Sequence, residues 1–366
     1  MALIALPGLA DSPAKFLGAT SCSSSGCHGG GGAKQNQYLV WSLRDFHSQR
    51  PPATLTNARS KQIAEAAGID DPTTDAHCTI CHAPLESVSP DRRGADFKIS
   101  EGVSCESCHG PAENWLRAHT RMDYTRADRV AAGMRDLQNL YVRANTCVAC
   151  HQVVSAPLLN AGHPELIFEL DGQSVSEPKH WSMEKNGNGA QAWLVGQAVA
   201  LREMSWALAQ DNSFTDREIV RWQGLAWLVS RSVNAQSGFS AAPAIPAKPG
   251  ADDFQAMQKW ADSTAQTAAG LTWSDQSSES DLAALAKTSA DFTGGVSQTI
   301  AARRADRLVL GLDRLVTNLP EYKDNQPVQS ALNDLFKLAQ SVPDFDPAAF
   351  GGALDKFNQA LGSQVK

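Results

Sequence analysis

Eight cysteines fall into four pairs, and a histidine follows the second cysteine of every pair. Three pairs have the same spacing: Cys78-Thr-Ile-Cys81-His82, Cys105-Glu-Ser-Cys108-His109 and Cys147-Val-Ala-Cys150-His151. Two thiols at that spacing can add across the two vinyl groups of one porphyrin, which holds the adjacent imidazole beneath the iron as proximal ligand. The fourth pair, Cys22-Ser-Ser-Ser-Gly-Cys27-His28, has a longer Ser- and Gly-rich loop that still brings both thiols to one ring edge. Four disulfides, or two zinc sites of four thiolates each, would also use eight cysteines. Neither explains the histidine that follows each time, although a Cys22–Cys27 disulfide stays open as the alternative at the first motif. The expected cofactor is therefore four covalently bound haem c groups, with iron held by His28, His82, His109 and His151.

Five further histidines, His47, His77, His119, His163 and His180, lie in the same half of the chain, and none lies beyond residue 188. Their confinement to the cysteine-bearing half marks them as candidate sixth ligands. Low-spin iron with two axial histidines changes little in geometry between oxidation states, which suits electron transfer. No catalytic side chain is assigned.

Several segments carry a family resemblance. They are Trp41-x5-His47 after the first motif, the long gap to Cys78, GVSCESCHGPAENW followed by His119, TCVACH at 146–151, and AGHPELIFEL at 161–170. Over about residues 18–182 the chain resembles the cytochrome c-554 family of tetrahaem c-type cytochromes. The resemblance implies that His119 is the distal ligand of the first haem and His47 that of the third. It implies a later histidine for the fourth, a place His180 suits best. The family's second haem can lack a sixth protein ligand, and here His163 is a candidate to fill it. His77 directly precedes Cys78, which makes it a poor ligand to its own haem and a candidate only for a neighbour's.

The elements that must position these groups divide near residue 188. Residues 1–10 read as the remnant of an export signal, with Ala10 a plausible cleavage edge. Residues 11–188 are rich in Gly and Pro and show only short helical patterns, as expected of a loop-rich multihaem domain. Residues 189–366 read as a haem-free α-helical bundle with a Pro-rich linker near 237–250. Apolar residues recur there at three- and four-residue steps: Leu194, Ala198, Leu201, Met204 and Leu208; Ala305, Leu308, Leu312, Leu315 and Leu319; Val328, Leu332, Leu335, Ala339 and Val342. A Thr215-to-Glu218 capping box opens one helix, running through Ile219, Trp222, Ala226 and Val229. Asp346 and Pro347 open the last, which carries Phe350, Leu354, Phe357 and Leu361. Trp193, Trp206, Trp222 and Trp227 are expected to pack in a core or against a haem. The fold class is mainly α.

With 19% charged and 42% apolar residues and a net charge of −7, the composition is that of a folded water-soluble chain. Acidic residues exceed basic ones in both parts, 20 to 17 over 1–188 and 19 to 15 over 189–366, which excludes nucleic acid as the expected partner. No transmembrane segment is expected. Covalent haem attachment needs thiols handled outside the cytoplasm, so the location reads as periplasmic or otherwise exported. The leading function is an electron carrier between redox partner proteins, either alone or as a homo-oligomer. One alternative is a redox enzyme acting on nitric oxide, hydroxylamine or nitrite at a five-coordinate second haem. Another is a subunit of a conducting cytochrome filament.

Overall fold

The computed structural model describes residues 13–32, 35–48, 50–181, 189–210, 214–234, 236–341 and 343–362. The expected export signal at 1–10 and Val342 lie outside them. The chain is mainly α, and among the described residues the only β pairing is one isolated bridge between Phe16 and Arg93. Two compact units divide it: residues 1–137 with 178–181, and residues 138–177 with 182–366. The compositional step at 188 thus falls inside the second unit, and the fourth Cys-His motif lies in that unit.

The first unit strings together short helices: α1 (Gln37–Arg44), α2 (Arg50–Thr54), α3 (Ala58–Ala67), α4 (Ala76–His82), α5 (Cys105–His109) and α6 (Arg126–Ala131). Most are too short for a long apolar stripe, and the buried hydrophobic residues are scattered, with Trp41, Leu55, Leu85 and Trp115 the largest. Buried side chains therefore hold the loops by their backbone, satisfying amides that irregular chain leaves unpaired. The Glu106 carboxylate accepts from the amides of Leu17 (2.9 Å), Gly18 (2.7 Å) and Ala112 (2.7 Å). The Glu101 carboxylate accepts from Ala19 N at 3.0 and 3.2 Å, and its pKa is raised by burial. Trp41 Nε1 donates to Val103 O at 3.0 Å. Gly18 sits at φ +93°, where a Cβ would lie 2.2 Å from Asp96 O, so only glycine permits this crossing beside Glu106.

The second unit comprises α7 (Leu140–His151), α8 (Ala156–Asn160), α9 (Leu170–Ser176), α10 (Gly189–Gln210), α11 (Asp216–Asn234), α12 (Ala251–Gly270), α13 (Asp275–Ala286), α14 (Ala290–Thr293), α15 (Gln298–Asn318), α16 (Pro320–Lys323), α17 (Gln326–Ala339) and α18 (Pro347–Gly362). The apolar stripes read from the sequence lie on α10, α15, α17 and α18 and are buried. Thr215 N donates to the Glu218 carboxylate at 3.0 Å, closing the expected cap of α11. Asp346 Oδ1 accepts from Ala348 N and Ala349 N at the start of α18.

Helices α12 and α13 are additions to the sequence reading. The buried face of α12 is Phe254, Met257, Trp260, Ala261, Thr264, Ala265 and Ala268, and its alanines let it lie against α10, which is itself buried nearly all round. Trp193, Trp222 and Trp227 are core residues, whereas Trp206 is half exposed and joins no core. The 237–250 stretch is irregular but held to the bundle. Gln223 Nε2 donates to Pro246 O at 2.9 Å, Trp260 Nε1 donates to Ser240 O at 3.0 Å, and Phe239 and Ile245 pack on the core.

Candidate haem-binding sites

All eight cysteines are unbridged. In the second and fourth motifs the pair and its histidine end α4 and α7, and in the third they make up α5, so the histidine follows the second cysteine at the helix C-terminus. Asp75 caps α4 by accepting from His77 N at 2.8 Å. Asn139 caps α7 by accepting from Tyr141 N (2.9 Å) and Val142 N (3.2 Å), and α7 buries Ala144 and Val148 beneath its cysteines. The first motif follows a 3-10 turn at Ala19–Cys22. Its longer loop closes on itself, with His28 N donating to Cys22 O at 3.2 Å and Gly29 N to Ser24 O at 3.0 Å. Hydrogen bonding thus returns the chain from Cys27-His28 to Cys22 despite the additional residues.

The thiols differ in surroundings. Cys22 is buried and Cys27 exposed. Cys22 makes its side-chain hydrogen bond with Cys105, a cysteine of the third motif. That bond, followed by burial, holds the Cys105 thiol above its ordinary pKa. Burial pushes Cys147 up to about 11 and raises Cys78.

The histidines share an orientation. Nδ1 meets Gln37 Oε1 in His28 (2.9 Å), Asp45 Oδ1 in His47 (3.1 Å), Asp75 Oδ1 in His77 (2.8 Å), Pro51 O in His82 (3.2 Å), Trp115 O in His119 (3.2 Å), Pro164 O in His163 (2.9 Å) and Pro178 O in His180 (3.4 Å). In His151 it meets the Gln173 side-chain amide at 3.2 Å. A hydrogen bond on one ring nitrogen fixes the tautomer in which the other is the lone-pair donor to a metal. His109 departs from this pattern. Its Nδ1 is buried without a partner, and burial lowers its pKa to about 4, so the ring is neutral as a ligand must be.

Two of the expected ligands lie near each other. The rings of His28 and His119 have centroids 6.0 Å apart and planes 11° from parallel. That spacing leaves room for a metal ion, which the two rings would hold between them. Trp115 meets His119 edge-on at 5.5 Å and sets its ring plane.

His180 belongs to the first unit, where Asp45, His28 and His47 act on it electrostatically and it in turn acts on His109. That neighbourhood is the third motif's. His163 is half-buried in the second unit, after Gly162 at φ +99°, and the chain that follows it is irregular as far as α9. His77 is exposed and bound to its own cap residue. The residues fit the group: unbridged thiol pairs, a histidine beside each, and a second ring set opposite one of them.

Residues 21–110 match the family model described as Cytochrome c554 and c-prime. Over this stretch, about a quarter of its length, the chain is similar to the cytochrome c554 family. The matched segment contains the first three Cys-His motifs and His47, while His119 and the fourth motif lie beyond it. That likeness points to haem binding and electron transfer as the class of function. No curated protein and no solved structure matches the chain. No described helix is long and apolar enough to cross a membrane. Sequence reasoning missed Gln37 and Gln173, the amides on two of the proximal histidines. Neither belongs to a motif, and only the folded chain brings them to a ring.

Proposed function

We propose that this chain is an exported electron carrier with four haem c groups, one at each Cys-His motif. Residues 11–188 would supply the attachment sites, and 189–366 a helical bundle that buttresses the fourth. The observation that carries the proposal is the His28–His119 geometry, because two rings at that separation and parallelism suit a six-coordinate site with no face left for substrate. Each haem, once bound, supplies a reversible one-electron iron couple.

The chain's own residues do the rest. Cysteine thioethers fix the ring edge, and hydrogen bonds on Nδ1 orient the imidazoles. Burial around His109 and Cys147 excludes water and tunes potential. His47 is the proposed distal ligand at the third site and His163 at the second. His180 is assigned to the fourth site, although its electrostatic neighbourhood at the third site competes with that assignment. Redox partner proteins would donate and accept the electrons. Electron paramagnetic resonance of the oxidised protein tests the carrier reading: all iron should be low-spin, and cyanide or nitric oxide should bind slowly or not at all. A rapidly liganded high-spin iron would favour chemistry at an open site instead.

A further inference from the structure

The second unit contains a buried carboxyl that the electron-carrier reading does not use. Glu169 precedes α9, and its Oε1 accepts from Gln197 Nε2 of α10 at 3.0 Å. Its Oε2 is inaccessible and without a hydrogen-bond partner. Across from it on α15, Arg307 is 5% exposed, its Nη1 is also unpartnered, and no ion pair joins the two. A carboxylate left this way is costly to ionise, so a proton is the simplest ligand that Oε2 can take.

Two routes lead from Glu169 to the fourth Cys-His motif. Gln197 Nε2 also donates to Phe168 O at 3.0 Å, and Phe168 N donates to Oε1 of Gln152, the residue after His151, at 3.2 Å. One helical turn on, Gln173 N donates to Glu169 O at 2.8 Å, and the Gln173 side chain meets His151 Nδ1 at 3.2 Å. Gln173 Oε1 is buried without a partner, so the amide orientation that turns Oε1 toward Nδ1–H satisfies both groups. The peptide on each side of Glu169 is thereby tied to the His151–Gln152 pair.

We infer that Glu169 is a proton-binding site coupled to electron uptake at the fourth motif, so that one electron from a one-electron donor protein is accompanied by one proton from solvent at Glu169 Oε2. The inference rests on the reading of Cys147, Cys150 and His151 as a haem site. Its sign follows from charge: ionised Glu169 favours the oxidised, more positive site, and electron uptake raises the affinity of Oε2 for a proton. The charged groups facing Glu169 are Arg307 and Arg314 of α15 and Asp171 of α9, while Gln197 of α10 faces it as a neutral amide. Burial, the largest cause, pushes Glu169 up to about 7, which puts the coupling in the physiological range.

Potentiometric titration of the full haem-loaded chain between pH 5.5 and 8.5 tests the inference, with Glu169→Gln as the variant and Asp281→Asn as the control. Asp281 is another fully buried carboxyl, on α13. One midpoint should fall as pH rises through about 7 in the wild type and in Asp281→Asn. In Glu169→Gln that dependence should be lost. A dependence that survives in Glu169→Gln overturns the inference, as does a wild-type midpoint flat across the range. If Glu169→Gln does not fold, the wild-type infrared redox difference spectrum decides. A protonated-carboxyl band gained on reduction supports the coupling, and its absence refutes it. Peptide mapping of the same sample that finds Cys147 and Cys150 without haem overturns the underlying reading, and the inference with it.

Discussion

His28 and His119, 91 residues apart in the chain, present their rings to each other with centroids 6.0 Å apart and planes 11° from parallel. The first ring follows a self-closing loop and is tied by Gln37; the second is tied to Trp115 O and packed edge-on by the Trp115 indole. Removing the second should expose one iron. In His119→Ala, one low-spin resonance is expected to become high-spin or be recaptured by water, with the other three unchanged. An unchanged low-spin count would show that the ring is not a ligand.

His180→Ala decides between two sites. If His180 serves the fourth, the affected iron should belong to the haem on the Cys147/Cys150 peptide. Loss at the Cys105/Cys108 peptide would instead follow the electrostatic neighbourhood of His109, His28 and His47 and would reassign the ligand.

Glu106 fastens the N-terminal segment to the third motif. Glu106→Ala leaves the amides of Leu17, Gly18 and Ala112 without their acceptor, at about 1–3 kcal/mol for each that stays buried. A lower urea midpoint is expected, together with faster hydrogen exchange at Leu17 and Gly18. Retained protection at both amides would contradict this role.

The Cys22–Cys105 contact predicts what the chain does when haem attachment is withheld. A buried thiol and a half-buried one in hydrogen-bond contact are placed to oxidise together, whereas Cys27 is exposed. Non-reducing peptide mapping of protein made without an attachment system should find a Cys22–Cys105 bond. A Cys22–Cys27 bond in its place would revive the disulfide alternative at the first motif.

Asp281 makes the helical unit sensitive to pH. It is fully buried, and desolvation pushes its carboxyl up to about 7 against the opposing pull of Ser232. Between the ordinary carboxyl range and about pH 7 the unfolded chain is ionised at this residue while the folded chain holds the proton, so stability falls as pH rises. Asp281→Asn should match the wild type near pH 4 and exceed it by about 2–4 kcal/mol near pH 8. Equal urea midpoints at both pH values would refute the assignment.

The motifs were legible because covalent attachment demands fixed types at fixed spacing, and α10, α15, α17 and α18 because each repeats large apolar residues at helical steps. Helix α12 was not, since its buried face relies on Ala261, Ala265 and Ala268, small residues that carry little periodic signal. The placement of the fourth motif in the second unit was not legible either, because α7 reaches that core through Ala144 and Val148, inside a stretch whose composition resembles the rest of the cysteine-rich half. Partners such as Gln37 on His28 and Glu106 on Leu17 and Gly18 depend on tertiary contact between ordinary residues.

The number of attached haems bears most directly on the central claim. Denaturing mass spectrometry of protein matured with a working attachment system should show the mass of the chain plus four haems, with all eight thiols consumed. Three additions or fewer, with any of the eight cysteines recovered as a free thiol or a disulfide, would contradict it.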